Sequence, residues 1–243
     1  MDISDILDQF DSSNVDHLIP YDENLFNQVG NAGPNGEEDL RALTRAWVNE
    51  RATTQLLEWP QDGLITRCRT RVKNQIDLVE RLTGNMDPKK NFSLIIIQTD
   101  VERWKFMIRS YLRARLAKIQ KFTLHYLSSP ELQAHLSDDE SAYAIKYQQT
   151  LHQHFLNSFL GKFPINLRNL NDTAGGITMI EAPDEEASIF ARGLGSRDGG
   201  DIVHVTGRGR NEEGEIGIAR GEVVVAKWSD VREYVKKGEM ELV

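Results

Sequence analysis

Apolar residues return along most of this chain at intervals of three and four, the spacing of one helical face. Near the N-terminus Ile3, Ile6, Leu7 and Phe10 stand at i, i+3, i+4 and i+7, with Asp2 and Asp5 early, where carboxylates favour a helix start. Two turns are too short to hold alone. Residues 11–38 lose the period and are rich in Asn, Asp, Ser and Gly, which predicts a flexible acidic linker. A tethered apolar stripe at residues 1–10 suits a peptide that folds into a partner's groove. It suits equally a segment that folds back on the chain's own body.

From about Glu37 the pattern predicts a helix through Leu40, Leu43, Trp47 and Leu57, stopped at Trp59-Pro60. A second helix runs from about Gly63 to Leu82, with Leu64, Cys68, Val72, Ile76 and Val79 on its apolar side. The longest periodic stretch is Asn91–Leu127, with Ile97, Val101, Trp104, Ile108, Tyr111, Leu112, Ile119, Phe122 and Tyr126 recurring. At 1.5 Å per residue it would reach about 55 Å. Ser137-Asp138-Asp139-Glu140 has the spacing of a capping box, opening a helix through Ala144, Tyr147, Leu151, Phe155 and Ser158 that ends at Gly161 and Pro164.

Beyond Pro164 the period changes. Ile177–Ile180, Ile189–Ala191, Ile202–Thr206, Glu215–Arg220 and Glu222–Trp228 read as short strands, with Gly221 as a tight turn. Val231–Val235 suits a turn or two of helix, and Met240–Val243 a closing strand. The expected fold class is α+β: a mainly helical, bundle-like A domain at 39–165, a linker at 166–176, and a small β-rich B domain at 177–243.

Charge sharpens that division. Of 243 residues, the first 40 hold 10 acidic and no Lys or Arg; 41–176 hold 20 basic against 13 acidic; 177–243 hold 9 basic against 14 acidic. No run of residues is long and apolar enough for a membrane span, and the acidic N-terminus does not resemble a secretory signal. Cys68, the single cysteine, excludes an internal disulfide and suits a reducing compartment. Its place in the apolar stripe makes it a small buried hydrophobe.

The glycine clusters Gly193-Leu194-Gly195 and Gly207-Arg208-Gly209-Arg210 lack phosphate-loop spacing, and the six histidines form no metal pattern. No catalytic, cofactor or metal site is expected. What stands out is basic. Arg103, Lys105, Arg109, Arg113, Arg115, Lys118 and Lys121 crowd the long helix against Glu102 alone within 101–121. Like charges four apart mildly destabilise a lone helix, so an acidic partner from another helix or another chain is expected. The basic face of helix 91–127 also admits nucleic-acid binding, and the pattern leaves direct DNA contact open.

The residues Glu102-Arg103-Trp104-Lys105-Phe106-Met107-Ile108-Arg109-Ser110-Tyr111-Leu112-Arg113-Ala114-Arg115-Leu116-Ala117-Lys118-Ile119 resemble the signature helix of the Sld-five subunit family of the eukaryotic GINS DNA replication complex. Trp47-Val48-Asn49-Glu50-Arg51-Ala52 resembles that family's first body helix, and Met179-Ile180-Glu181-Ala182-Pro183 its entry into the C-terminal domain. The resemblance implies a non-catalytic nuclear scaffold subunit without cofactors. It would assemble with three paralogous GINS subunits and support the replicative helicase, alongside the MCM hexamer and the Cdc-forty-five protein. It assigns assembly to Trp47, Glu50, Arg103, Trp104, Arg109, Tyr111, Leu112, Arg113, Arg115 and Lys118. B-domain docking falls to Met179, Ile180, Pro183, Trp228 and Leu242. The N-terminal Asp2, Ile3, Asp5, Ile6 and Leu7 resemble the fungal members' peptide for a trimeric hub that links the helicase to polymerase alpha.

Overall fold

In a computed structural model, the structure describes residues 36–60, 62–83, 88–168, 179–195, 200–208 and 213–243. The N-terminal peptide expected at residues 1–10, Asp2 to Leu7 included, and most of the linker after it therefore lie outside the described residues. Helix α1 spans Gly36–Ala52, α2 Leu64–Leu82, α3 Pro88–Lys121, α4 Thr123–Ser128, α5 Pro130–Gln133 and α6 Asp138–Ser158. Two 3-10 turns follow at Leu160–Lys162 and Ile165–Leu167. The C-terminal part contains β1 Ser188–Gly193, β2 Ile202–Arg208, β3 Glu213–Ala219, β4 Val223–Lys227, α7 Trp228–Lys237 and β5 Met240–Leu242. A helical region followed by small β-sheets is the α+β class that the periodicity predicts.

The described residues group into two compact units, one from the chain up to Leu40 with Ile65–Phe106, the other from Arg41–Leu64 with Met107–Val243. In the first, Cys68, Val72 and Leu78 of α2 and Ile97, Val101 and Trp104 of α3 are buried. The Gln75 amide donates to Asp100 at 3.0 Å, and the Arg71 guanidinium lies 5.2 Å from the Trp104 ring centroid. The buried stripe of α2 is centred on Ile65, Cys68, Val72, Gln75 and Leu78, with Ile76 and Val79 half-buried at its edge. Burial pushes the Cys68 thiol up to about 11.

Two apolar clusters form among the described residues of the second unit. One joins Leu56, Ile119, Phe122, Tyr126, Leu136 and Ala144. The other joins Ile189, Ala191, Val203, Val205, Ile218, Trp228, Val231, Met240 and Leu242, with Ala52 and Leu57 packed against it. Strand order is β4-β1-β5 in one antiparallel sheet, and β2 pairs with β3 in the other. Gly221 turns β3 into β4 at φ +86°, and Gly238 ends α7 at φ +77°, backbone conformations that favour glycine. The stretch Val231–Val235 belongs to a ten-residue helix.

Three boundaries differ from the pattern. Helix α1 stops at Ala52, not near Trp59, because buried polar partners take over the backbone of residues 53–57, as described below. The long helix breaks at Phe122, whose φ of −119° and ψ of 35° leave the helical region, and α4 begins anew. Met179 and Ile180 form no strand; Met179 is exposed and the buried Pro183 removes a ladder donor close by.

The β module is joined to the helical part by a few specific bonds. The Trp228 indole donates to the Gln55 side-chain oxygen at 2.7 Å, and the Leu242 amide to Asn49 Oδ1 at 2.9 Å. Trp228 is fully enclosed. Trp228→Ala should therefore destabilise the chain by about 3–5 kcal/mol, read as an earlier urea midpoint. A shift below about 1 kcal/mol would show that this contact does not hold the module in place.

Candidate functional site

Charged groups are the costliest to bury. The signature helix supplies two. Arg115 and Lys118 sit one turn apart on α3, and Arg115 has no exposed surface. An uncompensated guanidinium there would be strongly destabilising. Instead every donor is met. Nε donates to Glu140 Oε1 at 2.8 Å and one Nη to Glu140 Oε2 at 2.9 Å, a bidentate fork. The remaining bonds reach Glu50 Oε2 at 3.1 Å, the Leu57 carbonyl at 2.8 Å and the His135 carbonyl at 2.9 Å. Five acceptors answer the five guanidinium N–H groups.

Lys118 completes the set. Its ammonium donates to Glu50 Oε1 at 2.7 Å, Thr53 Oγ1 at 2.9 Å and the Gln55 carbonyl at 2.8 Å, again using every donor. Two cations thus balance two carboxylates. Glu140 also accepts from the Ser137 amide at 3.0 Å, while the Ser137 hydroxyl accepts from the Glu140 amide. The capping box that starts α6 and the fork that grips Arg115 share one carboxylate. Trp59 and Tyr111 flank the guanidinium, with ring centroids 5.2 and 5.7 Å from it.

These environments shift the titrations in ways that follow from burial. Burial works against the Arg115 charge, but the Glu140 bonds and the neighbouring anions outweigh it and hold the group protonated above its ordinary range. For Lys118 burial prevails over the attraction of Glu50 and lowers its value. Burial raises Tyr111, against the pull of Arg115. It pushes Tyr126 up to about 12; the Tyr126 hydroxyl accepts from the Leu56 amide at 2.8 Å, a bond that opposes the rise.

The other assigned residues divide by exposure. Trp104, Trp228 and Leu242 are core, and Glu50, Tyr111 and Arg115 are fully buried. Leu112 and Trp47 are half-buried, with the Arg51 guanidinium 5.0 Å from the Trp47 centroid. Arg103, Arg109 and Arg113 face solvent with no ion pair among the described residues. The basic helix therefore does not present one continuous cationic face: Arg115 and Lys118 turn inward. On the first half of α3, opposite the buried Ile97, Val101 and Trp104, a second apolar set is exposed: Phe92 at 53%, Ile95 at 61% and Ile96 at 39%. The sequence carries its signal, an apolar residue on every side of residues 92–101, though the single-stripe reading passes over it.

A cleft of about 500 Å³ borders α1, the 55–60 segment and α7, lined in part by Asn49, Trp59, Tyr111 and Trp228. Its charged rim is spoken for: Lys236 bonds Glu58 at 2.8 Å and Arg45 lies 3.3 Å from Glu241. The Lys236 hydrogen bond lowers Glu58. Among the described residues no three His, Cys, Asp or Glu gather in a metal-binding group, and no helix is long and apolar enough to cross a membrane.

Comparison with known proteins agrees with the signature helix. A family described as the Sld5 GINS complex protein helical bundle domain matches residues 69–159, and one described as the SLD5 C-terminus of the DNA replication complex GINS protein matches 183–243. The DNA replication complex GINS protein SLD5 of Chaetomium globosum is 46% identical over 243 residues, covering 100% of both chains. The proteins of the same name from Yarrowia lipolytica and Schizosaccharomyces pombe are 31% and 30% identical, spanning 90% and 85% of this chain and 83% and 92% of theirs.

Two outcomes follow from the buried charges. Arg115→Met leaves Glu50 and Glu140 enclosed with one cation between them and should cost about 3–5 kcal/mol. Combined with Glu140→Gln it should cost less than the two single changes added, because the amide no longer buries a charge. Strict additivity in urea unfolding would contradict the coupling. Tyr126, raised in the fold above its ordinary value of 10.0, contributes stability that is whole below that value and lost as pH climbs through about 12. Lys118, lowered in the fold, has the opposite sign and adds stability as pH rises towards 10.5. Tyr126→Phe should therefore flatten the alkaline loss of stability above pH 10, with Tyr111 sustaining the remainder; an unchanged slope would refute the assignment.

Proposed function

The chain belongs to the Sld5 family of GINS complex proteins, and on that footing we propose that it is a non-catalytic scaffold subunit of a four-member GINS assembly. Its partners are three paralogous subunits. Through that assembly it supports the replicative helicase, with the MCM hexamer and the Cdc-forty-five protein, in initiation and elongation of DNA replication in the nucleus. Residues 39–165 serve as the A domain, 177–243 as the B domain, with 166–176 between them. Residues 2–10, tethered by 11–38, engage the trimeric hub linked to polymerase alpha.

One observation carries the scaffold reading: the second, exposed apolar set on α3. Phe92, Ile95 and Ile96 extend along the side of the helix away from its own core, at positions a solitary helix would fill with polar residues. Contiguous apolar surface of this kind marks a protein interface. Further along α3, the outward Arg109 and Arg113 give the same helix a cationic continuation that suits acidic side chains on a sister subunit. Arg115 and Lys118 act differently, fixing the shape of the A domain from inside.

Phe92→Asp with Ile95→Asp, at exposed positions, should leave the melting temperature of the chain within a few degrees. Co-expressed with its three paralogues, that variant should no longer be recovered in a stoichiometric tetramer by native mass spectrometry. Recovery at wild-type stoichiometry would overturn the proposed interface.

A further inference from the structure

A second apolar surface lies where α6 ends. Phe159 and Phe163 are 47% and 44% exposed, and Ile165 and Leu167 of the last 3-10 turn 77% and 61%. The rings form an ordered row. Phe155 and Phe159 have centroids 5.7 Å apart at 52°, and Phe159 and Phe163 6.3 Å apart at 82°, both within the range of favourable aromatic pairs. The Arg168 guanidinium folds back to the Phe163 carbonyl at 2.8 Å and the Gly161 carbonyl at 3.1 Å. Those contacts brace the turn, and Arg168 has no ion pair among the described residues. Lys162, exposed between the last two rings, has no ion pair among the described residues.

The charge around this row is one-sided. From Ser141 to Arg168 the sequence contains no Asp or Glu, whereas 37 acidic residues in 243 would place about four in a stretch of that length. Lys146, Lys162 and Arg168 stand there alone. An ordinary solvated helix end would mix both signs, and a surface meant to stay bare would not align four large apolar side chains.

We propose that the row Phe155–Phe159–Phe163, with Ile165, is a docking site for an acidic amphipathic helix of a partner protein. The partner's aliphatic face lies along the rings, and its carboxylates meet Lys162 and Arg168. Three features select this occupant. A second copy of the chain would bring the same cations across a two-fold axis, like against like. A single-stranded nucleic acid, which also stacks on aromatic rings, needs a groove of cations tracking its backbone. Here two cations flank the rings on a chain of net charge −8, which repels a polyanion at long range. A short helix brings only a few negative charges, matched to what the site offers.

The proposal rests on the GINS reading only for the assembly in which it is tested. The probe is a fluorescein-labelled amphipathic peptide of about 14 residues, built from Leu, Ala and Glu, with a control in which every Glu is Lys. It is titrated by fluorescence anisotropy against the tetramer reconstituted from this chain and its three paralogues. The Glu peptide should bind, should weaken as salt is raised, and should bind at least about tenfold more tightly than the Lys peptide. Phe159→Ser with Phe163→Ser should reduce its affinity at least about tenfold while native mass spectrometry finds the tetramer intact. Lys162→Glu, at an exposed position that no folding argument touches, should reduce it severalfold and supplies the test if the double variant fails to assemble. Four results would each overturn the proposal: no binding of the Glu peptide, equal binding of the two peptides, displacement of the peptide by oligo-dT, or a concentration-dependent doubling of the tetramer's mass that the variants abolish. A tetramer that assembles normally but ignores the peptide would sink this inference alone; failure of the wild-type chain to assemble would sink the scaffold reading instead.

Discussion

Burying a guanidinium is tolerable only when every N–H finds an acceptor, and that constraint on Arg115 organises much of the second unit. The five acceptors come from Glu50 on α1, Leu57 in the segment after it, His135 beyond α5, and Glu140 in the first turn of α6. None can move independently without stranding a donor or a carboxylate. Such a network adds little net stability over a well-packed apolar core, because desolvation offsets most of the attraction. Its effect is on specificity: it admits one arrangement of four chain segments around α3. A scaffold needs that property more than it needs extra stability.

The same network explains why Gln55 and Leu56 can be buried without being helical or extended. A buried loop must satisfy its backbone from somewhere. Lys118 supplies a donor for the Gln55 carbonyl, Arg115 one for Leu57, and the Tyr126 hydroxyl accepts from Leu56. With its backbone held from one side, Gln55 turns its amide the other way, accepting from Trp228 and donating to Glu185 Oε1 at 3.2 Å. The Thr54 hydroxyl reaches the Asp184 carbonyl at 2.6 Å in the same region. Two inward cations on α3 therefore hold the segment on which the β module is seated, and Arg115 is linked to Trp228 through Glu50, Lys118 and Gln55.

Much of this was legible in the chain, and the illegible part has a physical cause. Helices α2, α3 and α6 follow from apolar spacing, and the Ser137–Glu140 box forms with both of its reciprocal bonds. Strands β1 to β4 fall within a few residues of the Val- and Ile-rich runs, and β5 lies within the closing strand expected at Met240–Val243. Hidden from a local reading was which basic residues are buried. Arg109, Arg113 and Arg115 look alike along the helix, and only partners 25 and 65 residues away in sequence decide that Arg115 turns inward. The early end of α1 was hidden for the same reason, since its competitors for the backbone lie on α3 and α4. Local periodicity reports the backbone's preference; it does not report bonds offered by distant side chains.

The two apolar surfaces gain meaning from this division of labour. Along α3 the inward residues change from Val101 and Trp104 to Arg115 and Lys118, while Phe92, Ile95 and Ile96 stay exposed. A helix required only to complete one domain would make its outward side polar throughout. Here it carries isoleucines and phenylalanine at one end and, further on, arginines with no ion pair among the described residues, a sequence of textures that water has no reason to select. At the end of α6 the combination recurs in smaller form, rings beside cations with no acid among them. Both surfaces set apolar area beside exposed cations, a combination that orients whatever covers them as well as adding affinity. The buried ion cluster holds the segments around the second half of α3 in one arrangement, and apolar surfaces flanked by cations make such an arrangement directional.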